Sequence, residues 1–294
     1  MLLVDKPQGP TSHDVVAVLR SATRERRIGH AGTLDPMASG LLIVLIGAAT
    51  RLERYLVGHS KGYDARIVFG SETDTLDAEG AVSETAPVPD AVRSAEEARR
   101  VLASFLGEQQ QMPPAYSAIK RGGVAAHRVA RAGGEPELEP RCVEVMEAEL
   151  VGVDPEVPAW DVRFTVSKGT YIRSLARDIG RAAGTCAHLG GLRRTRVGDA
   201  RIEDALTLDQ ALELARANAL SGRFTDPVSL LGMPVIAAAP GAVRDGKPLK
   251  GLQTGLVEGV LVAVATEDLL LAVYRYLGDR LVPDAVLSPA VVRA

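Results

Sequence analysis

One acid in this chain stands where a carboxylate could do chemistry. Residues 29–42 read GHAGTLDPMASGLL, with Asp35 between a Gly-Thr-Leu approach and Pro36, and an apolar run follows at 41–46. Proline removes a backbone donor and biases the residue before it away from helix. Gly29, Gly32 and Gly40 permit tight turns and close approach of another molecule. The stretch reads as an irregular loop on a buried strand, with one carboxylate at its tip. Taken alone, an Asp-Pro pair is commonly a turn opener. Arg173 is the second group placed where it could do chemistry. Ser167-Lys168-Gly169-Thr170 turns the chain into a helix with Ile172, Leu175, Ala176 and Ile179 inward, and Arg173, Arg177 and Arg181 recur at four-residue spacing. An arginine in the first turn of such a helix suits the holding of an anion or a carboxylate. A surface stripe paired with Asp178 is the plainer alternative. Tyr63 heads the alternating segment KGYDARIVFG at 61–70, where a tyrosine is ordinarily core with its hydroxyl satisfied.

The elements that must position these residues follow from local signals. Residues 2–4 suit a short strand and 6–10 a turn; Thr11 with Asp14 makes a capping box for a helix carrying Val15, Val16 and Leu19 inward. That helix runs out into Arg20, Arg24, Arg26 and Arg27. Residues 71–80 are turn-rich and suit a hairpin or loop. Ser94 and Glu97 predict a second capping box, for a helix closed by Gly107. Residues 109–134 combine a proline pair, two glycine pairs and the basic Lys120, Arg121, Arg128 and Arg131; they read as a mobile arm, a long loop with one short helix. Strand patterning resumes at 142–152 and 159–166, with the single Trp160 read as core. Residues 187–198 carry three arginines and no acid, 207–217 form an amphipathic helix, and 221–234 read as a linker. Residues 256–264 and 269–276 read as paired strands of a small β-rich appendage.

Composition narrows the function classes. The chain has 294 residues, 46% hydrophobic and 24% charged, with a net charge of −3, so a nucleic-acid partner would have to meet a local patch. Cys142 and Cys186 lie in no metal-ligand or CxxC spacing; neither a disulfide framework nor a zinc site is expected, and a reducing cytoplasm is. The start, MLLVDKPQGP, does not read as a signal peptide, and the uncharged run at 36–50 is too short for a membrane span. Residues 241–247, GAVRDGK, fit the opening of a phosphate-binding loop, but Pro248 stands at the hydroxyl position, so that motif is discarded.

Six blocks taken in order, DKPQGPTS, GHAGTLDPMASGLL, KGYDARIVFGSETDTLDAEG, PPAYSAIK, GTYIRSLARDIG and AHLGGLRRTRVG, closely resemble the bacterial tRNA pseudouridine synthase B family. The resemblance implies an α/β (α+β) catalytic domain with a central mixed or antiparallel sheet flanked by helices over residues 1–225. It also implies a small β-rich, PUA-like RNA-binding domain over 234–294, matched more weakly. The substrate it implies is the uridine at position 55 of the tRNA T loop. Asp35 aligns with the family's catalytic aspartate. Tyr63 aligns with the tyrosine that stacks on the target base and takes part in proton removal, and Arg173 with the arginine paired to the carboxylate. Tyr171 and Leu192 align with base-pocket residues, and His30 with the histidine that helps hold flipped-out nucleotides. Lys6 and Pro7 align with a motif buttressing the pocket, and Lys120 falls in the arm expected to meet RNA. In that arm His127 stands near the family's usual tyrosine.

The basic clusters at 20–27, 120–131, 173–181 and 193–196 are expected to form a positive cradle for tRNA. No metal or organic cofactor is expected, because the isomerisation involves no redox change. No membrane and no obligate protein partner is expected, and the protein is expected to act as a monomer. A non-catalytic tRNA-binding module and a guide-RNA-dependent synthase are the rival readings. Asp35 counts against the first, and the compact arm and absence of long basic tails against the second.

Overall fold

The computed structural model describes residues 1–250 and 255–293. The chain forms two compact units, one comprising Met1–Pro36, Gly40–His59 and Val197–Ala294, the other Met37–Ser39 and Ser60–Arg196. Its mixed α/β character is the one expected.

In the first unit the strand Leu2–Lys6 runs antiparallel to Ala38–Ile46 and parallel to Leu206–Thr207, and Ile28–Ala31 pairs with the C-terminal half of Ala38–Ile46. Residues 2–4 and 41–46 of the two central strands are unbroken apolar runs, because both faces are covered there. Leu2, Val4, Leu42 and Val44 pack with Val15, Val16 and Leu19 of the helix Ser12–Thr23 and with Ala211 and Ala215 of the helix Leu208–Arg216. Leu3, Leu41, Ile43 and Leu45 alternate to the other side, in a core shared with Leu230, Leu231, Leu270, Val273 and Leu287. The first helix starts with the expected box: Thr11 Oγ1 accepts from the Asp14 amide (3.1 Å) and Asp14 Oδ2 from the Thr11 amide (2.9 Å).

The C-terminal residues of this unit make a five-stranded sheet in the order Val235–Ala237, Leu261–Ala265, Leu269–Leu277, Arg280–Val292 and Leu249–Lys250. The first of the two strands read from sequence thus begins at Leu261 rather than at 256. Residues 221–234 are not a plain linker. Asp226 caps the helix Pro227–Leu231, and Gly232 ends it at φ 60°. Val228, Leu230 and Leu231 are buried in the shared core. Start and stop signals flank this segment in the sequence, and burial of its aliphatic side chains made the short helix worth forming.

The second unit is built on strands in the order Ala187–Val197, Lys61–Phe69, Ala159–Val166, Arg141–Val153 and Gly107–Gln111. Tyr63 faces Phe164, Ala65 faces Val162 and Ile67 faces Trp160 across an antiparallel register, giving one apolar face. Trp160 is core as expected, wholly buried, with its indole N–H donating to Val92 O at 2.7 Å. The intervening positions form an ionic face in which Arg66 pairs with Asp154 and Asp161, and Arg163 with Asp64 and Glu149. The helix Ala95–Ala103 has only half of its predicted box. Ser94 Oγ accepts from the Glu97 amide (3.4 Å), but the Glu97 carboxylate turns to Arg100 (2.7 Å). Gly107, expected to close that helix, opens the next strand at φ 92°. The arm 109–134 starts inside this last strand and holds a small hairpin, Lys120–Arg121 with Val124–Ala125, and the helix Ala126–Arg131. No helix among the described residues is long and apolar enough to cross a membrane.

Candidate active site

The predicted site residues fall in both units: Lys6, His30 and Asp35 in the first, Tyr63, Lys120, Tyr171, Arg173 and Leu192 in the second. Each set has its own geometry.

Asp35 is half-buried in the turn between the strands Ile28–Ala31 and Ala38–Ile46. Gly32 enters this turn at φ 89°, a conformation that a side chain would strain. The residues on either side of Asp35 are tied down. Ser12 Oγ accepts from the Leu34 amide (2.9 Å) and donates to Leu34 O (3.2 Å), and the Gly9 amide donates to Pro36 O (2.9 Å). Lys6 organises the turn that supplies Gly9. It is wholly buried, and its ammonium donates to Pro7 O and Pro10 O, each at 2.8 Å. A buried ammonium needs such acceptors to offset its lost hydration. The DKPQGPTS block therefore acts on Asp35 by fixing the backbone around it. His30 meets His13 edge-on, ring centroids 5.2 Å apart. Arg20, Arg24, Arg26 and Arg27 are all exposed.

In the second unit Tyr63 is 7% exposed, on the same strand face as Lys61 and Ala65. Burial pushes the Lys61 ammonium down to about 8, and the positive charges of Arg194 and Lys168 push the same way. Arg173 is not part of a surface stripe: it is 5% exposed, donating to Thr75 O (2.8 Å) and Tyr116 O (3.0 Å). Its Nε lies 3.6 Å from Asp77 Oδ2. Asp77 Oδ1 in turn accepts from Thr75 Oγ1 (2.7 Å) and the Glu79 amide (3.1 Å). A guanidinium fixed in this way is a preorganised cation, fit to stabilise negative charge. Arg177 is also buried, pairing with Asp178 (2.8 Å) and donating to Met112 O (3.1 Å).

Tyr171 is the N-cap residue of the helix Ile172–Ala182, which has no side-chain cap of its own. Leu192 is half-buried on the strand Ala187–Val197, and Lys120 is exposed on the arm hairpin. The structure thus groups Arg173, Tyr171 and the root of the arm, and leaves Lys120 at the surface. Two expected cation clusters contribute less open charge than their sequence implied. Arg173, Arg177 and Arg194 are buried, and Arg181 pairs with Glu72 at 3.5 Å.

Asp77, Ser12 and Gln111 were not singled out from sequence. Asp77 sits in a turn-rich run where several acids look alike, and only its place beneath Arg173 separates it from them. Gln111 is the last of three glutamines, with no local signal at all. Among the described residues no group of three His, Cys, Asp or Glu side chains is placed to hold a metal ion.

Residues 20–172 match the family model described as TruB family pseudouridylate synthase (N terminal domain), and residues 173–224 that of the tRNA pseudouridylate synthase B C-terminal domain. The tRNA pseudouridine synthase B of Opitutus terrae is 46% identical over a match covering 83% of this chain and 95% of that protein. The protein of the same name from Corynebacterium aurimucosum is 40% identical, covering 99% of this chain and 97% of that one. A chain solved in the "Structure of H/ACA RNP bound to a substrate RNA containing 2'-deoxyuridine" superposes with a TM-score of 0.73 at 25% identity, over 97% of this chain and 84% of that chain. One from the "Crystal Structure of a Cbf5-Nop10-Gar1 Complex" gives 0.73 at 26% identity, with the same coverage of 97% and 84%.

Proposed function

This chain belongs to the TruB family of pseudouridylate synthases, and on that premise we propose that it isomerises uridine 55 in the T loop of tRNA, acting alone and without a cofactor. The substrate class follows the names of relatives matched over nearly the whole chain. The observation that carries the proposal is the loop of Asp35, whose backbone is held through Leu34 and Pro36 around one half-buried carboxylate.

The reaction breaks the bond between the ribose C1′ and uracil N1, turns the base over and joins C1′ to C5. C5 loses a proton and N1 gains one, so substrate and product have the same composition. Asp35 is the nucleophile in this reading, a role open to an ionised carboxylate. In this reading Arg173 takes the part of the family's arginine partner to that carboxylate, and Tyr63 supplies the aromatic face and a proton acceptor for C5. Tyr171 and Leu192 line the base pocket, and His30, Lys6 and Lys120 serve RNA binding and support. Extracting the base from its stack costs a few kcal/mol, which an aromatic face partly recovers. RNA is read mainly as shape and splayed bases. Residues 1–225 form the catalytic domain and 234–294 a PUA-like RNA-binding domain, of which 251–254 and 294 lie outside the described residues. The free thiols of Cys142 and Cys186 suit a reducing cytoplasm.

The test is incubation of the purified protein with an unmodified T-arm stem-loop in excess chelator, with any new pseudouridine mapped to its position. Wild type is expected to modify the T-loop uridine, and Asp35→Asn to bind the RNA without turning it over. Wild-type turnover by Asp35→Asn would overturn the assignment. The likeness to chains solved in H/ACA complexes is the one observation favouring a guide-dependent reading; turnover by the protein alone decides against it.

A further inference from the structure

Gln111 ends the strand Gly107–Gln111, immediately before the Met-Pro-Pro root of the arm, and is 2% exposed. Its side-chain amide makes a two-point contact with one residue of another element. Oε1 accepts from the Tyr171 amide (2.9 Å), and Nε2 donates to Tyr171 O (3.2 Å). The same carbonyl accepts from the Leu175 amide (3.0 Å), which closes the first turn of the helix Ile172–Ala182. That helix has no side-chain cap of its own, and Arg173 is its second residue. The axial rise between Tyr171 and Arg173 is about 3 Å, so whatever holds Tyr171 also aims Arg173. Two further bonds tie the arm root to the helix, from Arg177 to Met112 O (3.1 Å) and from Arg173 to Tyr116 O (3.0 Å).

We propose that Gln111 is a positioning residue for Arg173: by gripping both peptide groups of Tyr171 it fixes how the helix enters, and with it the guanidinium. The proposal rests on the reading of Arg173 given above. The chemistry of the grip demands a primary amide. A methionine of similar length fills the space but makes neither bond. A glutamate can accept from the Tyr171 amide, but when ionised it faces Tyr171 O with another acceptor; only its protonated form restores the donor.

The test compares full-length wild type, Gln111→Met and Gln111→Glu on an unmodified tRNA transcript. It measures the single-turnover rate at saturating enzyme, the Kd for the transcript, and the NMR signal of the Arg173 Nε–H. For Gln111→Met the saturated rate is expected to fall roughly 10- to 100-fold, the scale of an ångström-level misplacement, with Kd within about threefold. For Gln111→Glu the deficit is expected to shrink as pH falls, a recovery wild type lacks, with the Arg173 signal returning in step. A rate within twofold of wild type in Gln111→Met, or a loss confined to Kd, would overturn the proposal. So would a Gln111→Glu profile parallel to wild type, and that variant decides the matter should Gln111→Met fail to fold. If wild type itself makes no pseudouridine, the functional reading fails. The Arg173 signal then decides alone: unchanged in both variants, it sinks the role of Gln111; displaced in Gln111→Met and restored in Gln111→Glu by acid, it upholds it.

Discussion

Asp77 and Arg173 have side chains 7% and 5% exposed, with charged atoms 3.6 Å apart. Asp77→Asn keeps an acceptor for Thr75 and Glu79 but removes the negative charge beside the guanidinium. The expected outcome is a loss of roughly 10- to 100-fold in single-turnover rate with little change in RNA affinity. Retained activity would show that Arg173 keeps its place without that negative charge. Lys61 gives a prediction with a pH window. Its folded pKa, lowered to about 8 mainly by burial, lies below the value of ~10.4 in an unfolded chain. Between the two the unfolded state binds more protons, so this group makes stability rise with pH across that window. Denaturant midpoints measured from about pH 8 to 10 are expected to show the rise in wild type and to lack it in Lys61→Met.

Among elements, the C-terminal sheet is tied to the segment 47–56 of its own unit by polar contacts that centre on one acid, beside the shared apolar core. Asp284 pairs with Arg54 (2.6 Å) and Arg275 (3.4 Å) and accepts from the Tyr55 hydroxyl, and Arg51 donates to Val286 O (2.8 Å). Burial, helped by the neighbouring carboxylate, pushes Tyr55 up to about 12. Its contribution to stability is complete below about pH 10, the unfolded value, and is lost as pH climbs through 12. Burial acts to raise the Asp284 carboxyl, but the Tyr55 hydroxyl, Arg54 and Arg275 outweigh it and hold the group below its ordinary value. That contribution is present above ~3.9, the unfolded value, and disappears on acidification. Arg54 is 57% exposed, so screening keeps the pair to about 1 kcal/mol or less. Asp284→Ala is expected to lower the melting temperature only slightly while speeding amide exchange along Arg280–Val292. A global loss of several kcal/mol would mean that the sheet depends on this acid rather than on the shared core of Leu270, Val273 and Leu287.

For the whole molecule, a net charge of −3 leaves RNA binding to exposed cations. Arg24, Arg26, Lys120, Arg128 and Arg131 are exposed, whereas Arg173, Arg177 and Arg194 are not. Affinity for tRNA is expected to fall with a steep log–log salt slope. Lys120→Ala should make that slope shallower by about one counterion, and Arg177→Lys should leave it unchanged. A salt-independent affinity would remove the electrostatic account.

Sequence by itself determined the elements whose signals are local. The Thr11–Asp14 box, the Lys61–Phe69 alternation and the helix carrying Arg173 could all be read, because capping and hydrophobic period depend on neighbours a few residues apart. The motif blocks also determined the family. Tertiary structure decided what local signals leave degenerate. Glu97 had two partners within reach and took Arg100. The segment 221–234 had helix signals, but three aliphatic side chains had to find a core before those signals counted. Arg177 had the spacing of a surface stripe and became a buried strut. Gln111 and Asp77 carry no mark in the sequence, because a buried amide or carboxylate is defined by the groups it meets, and here those lie 60 and 96 positions further along the chain.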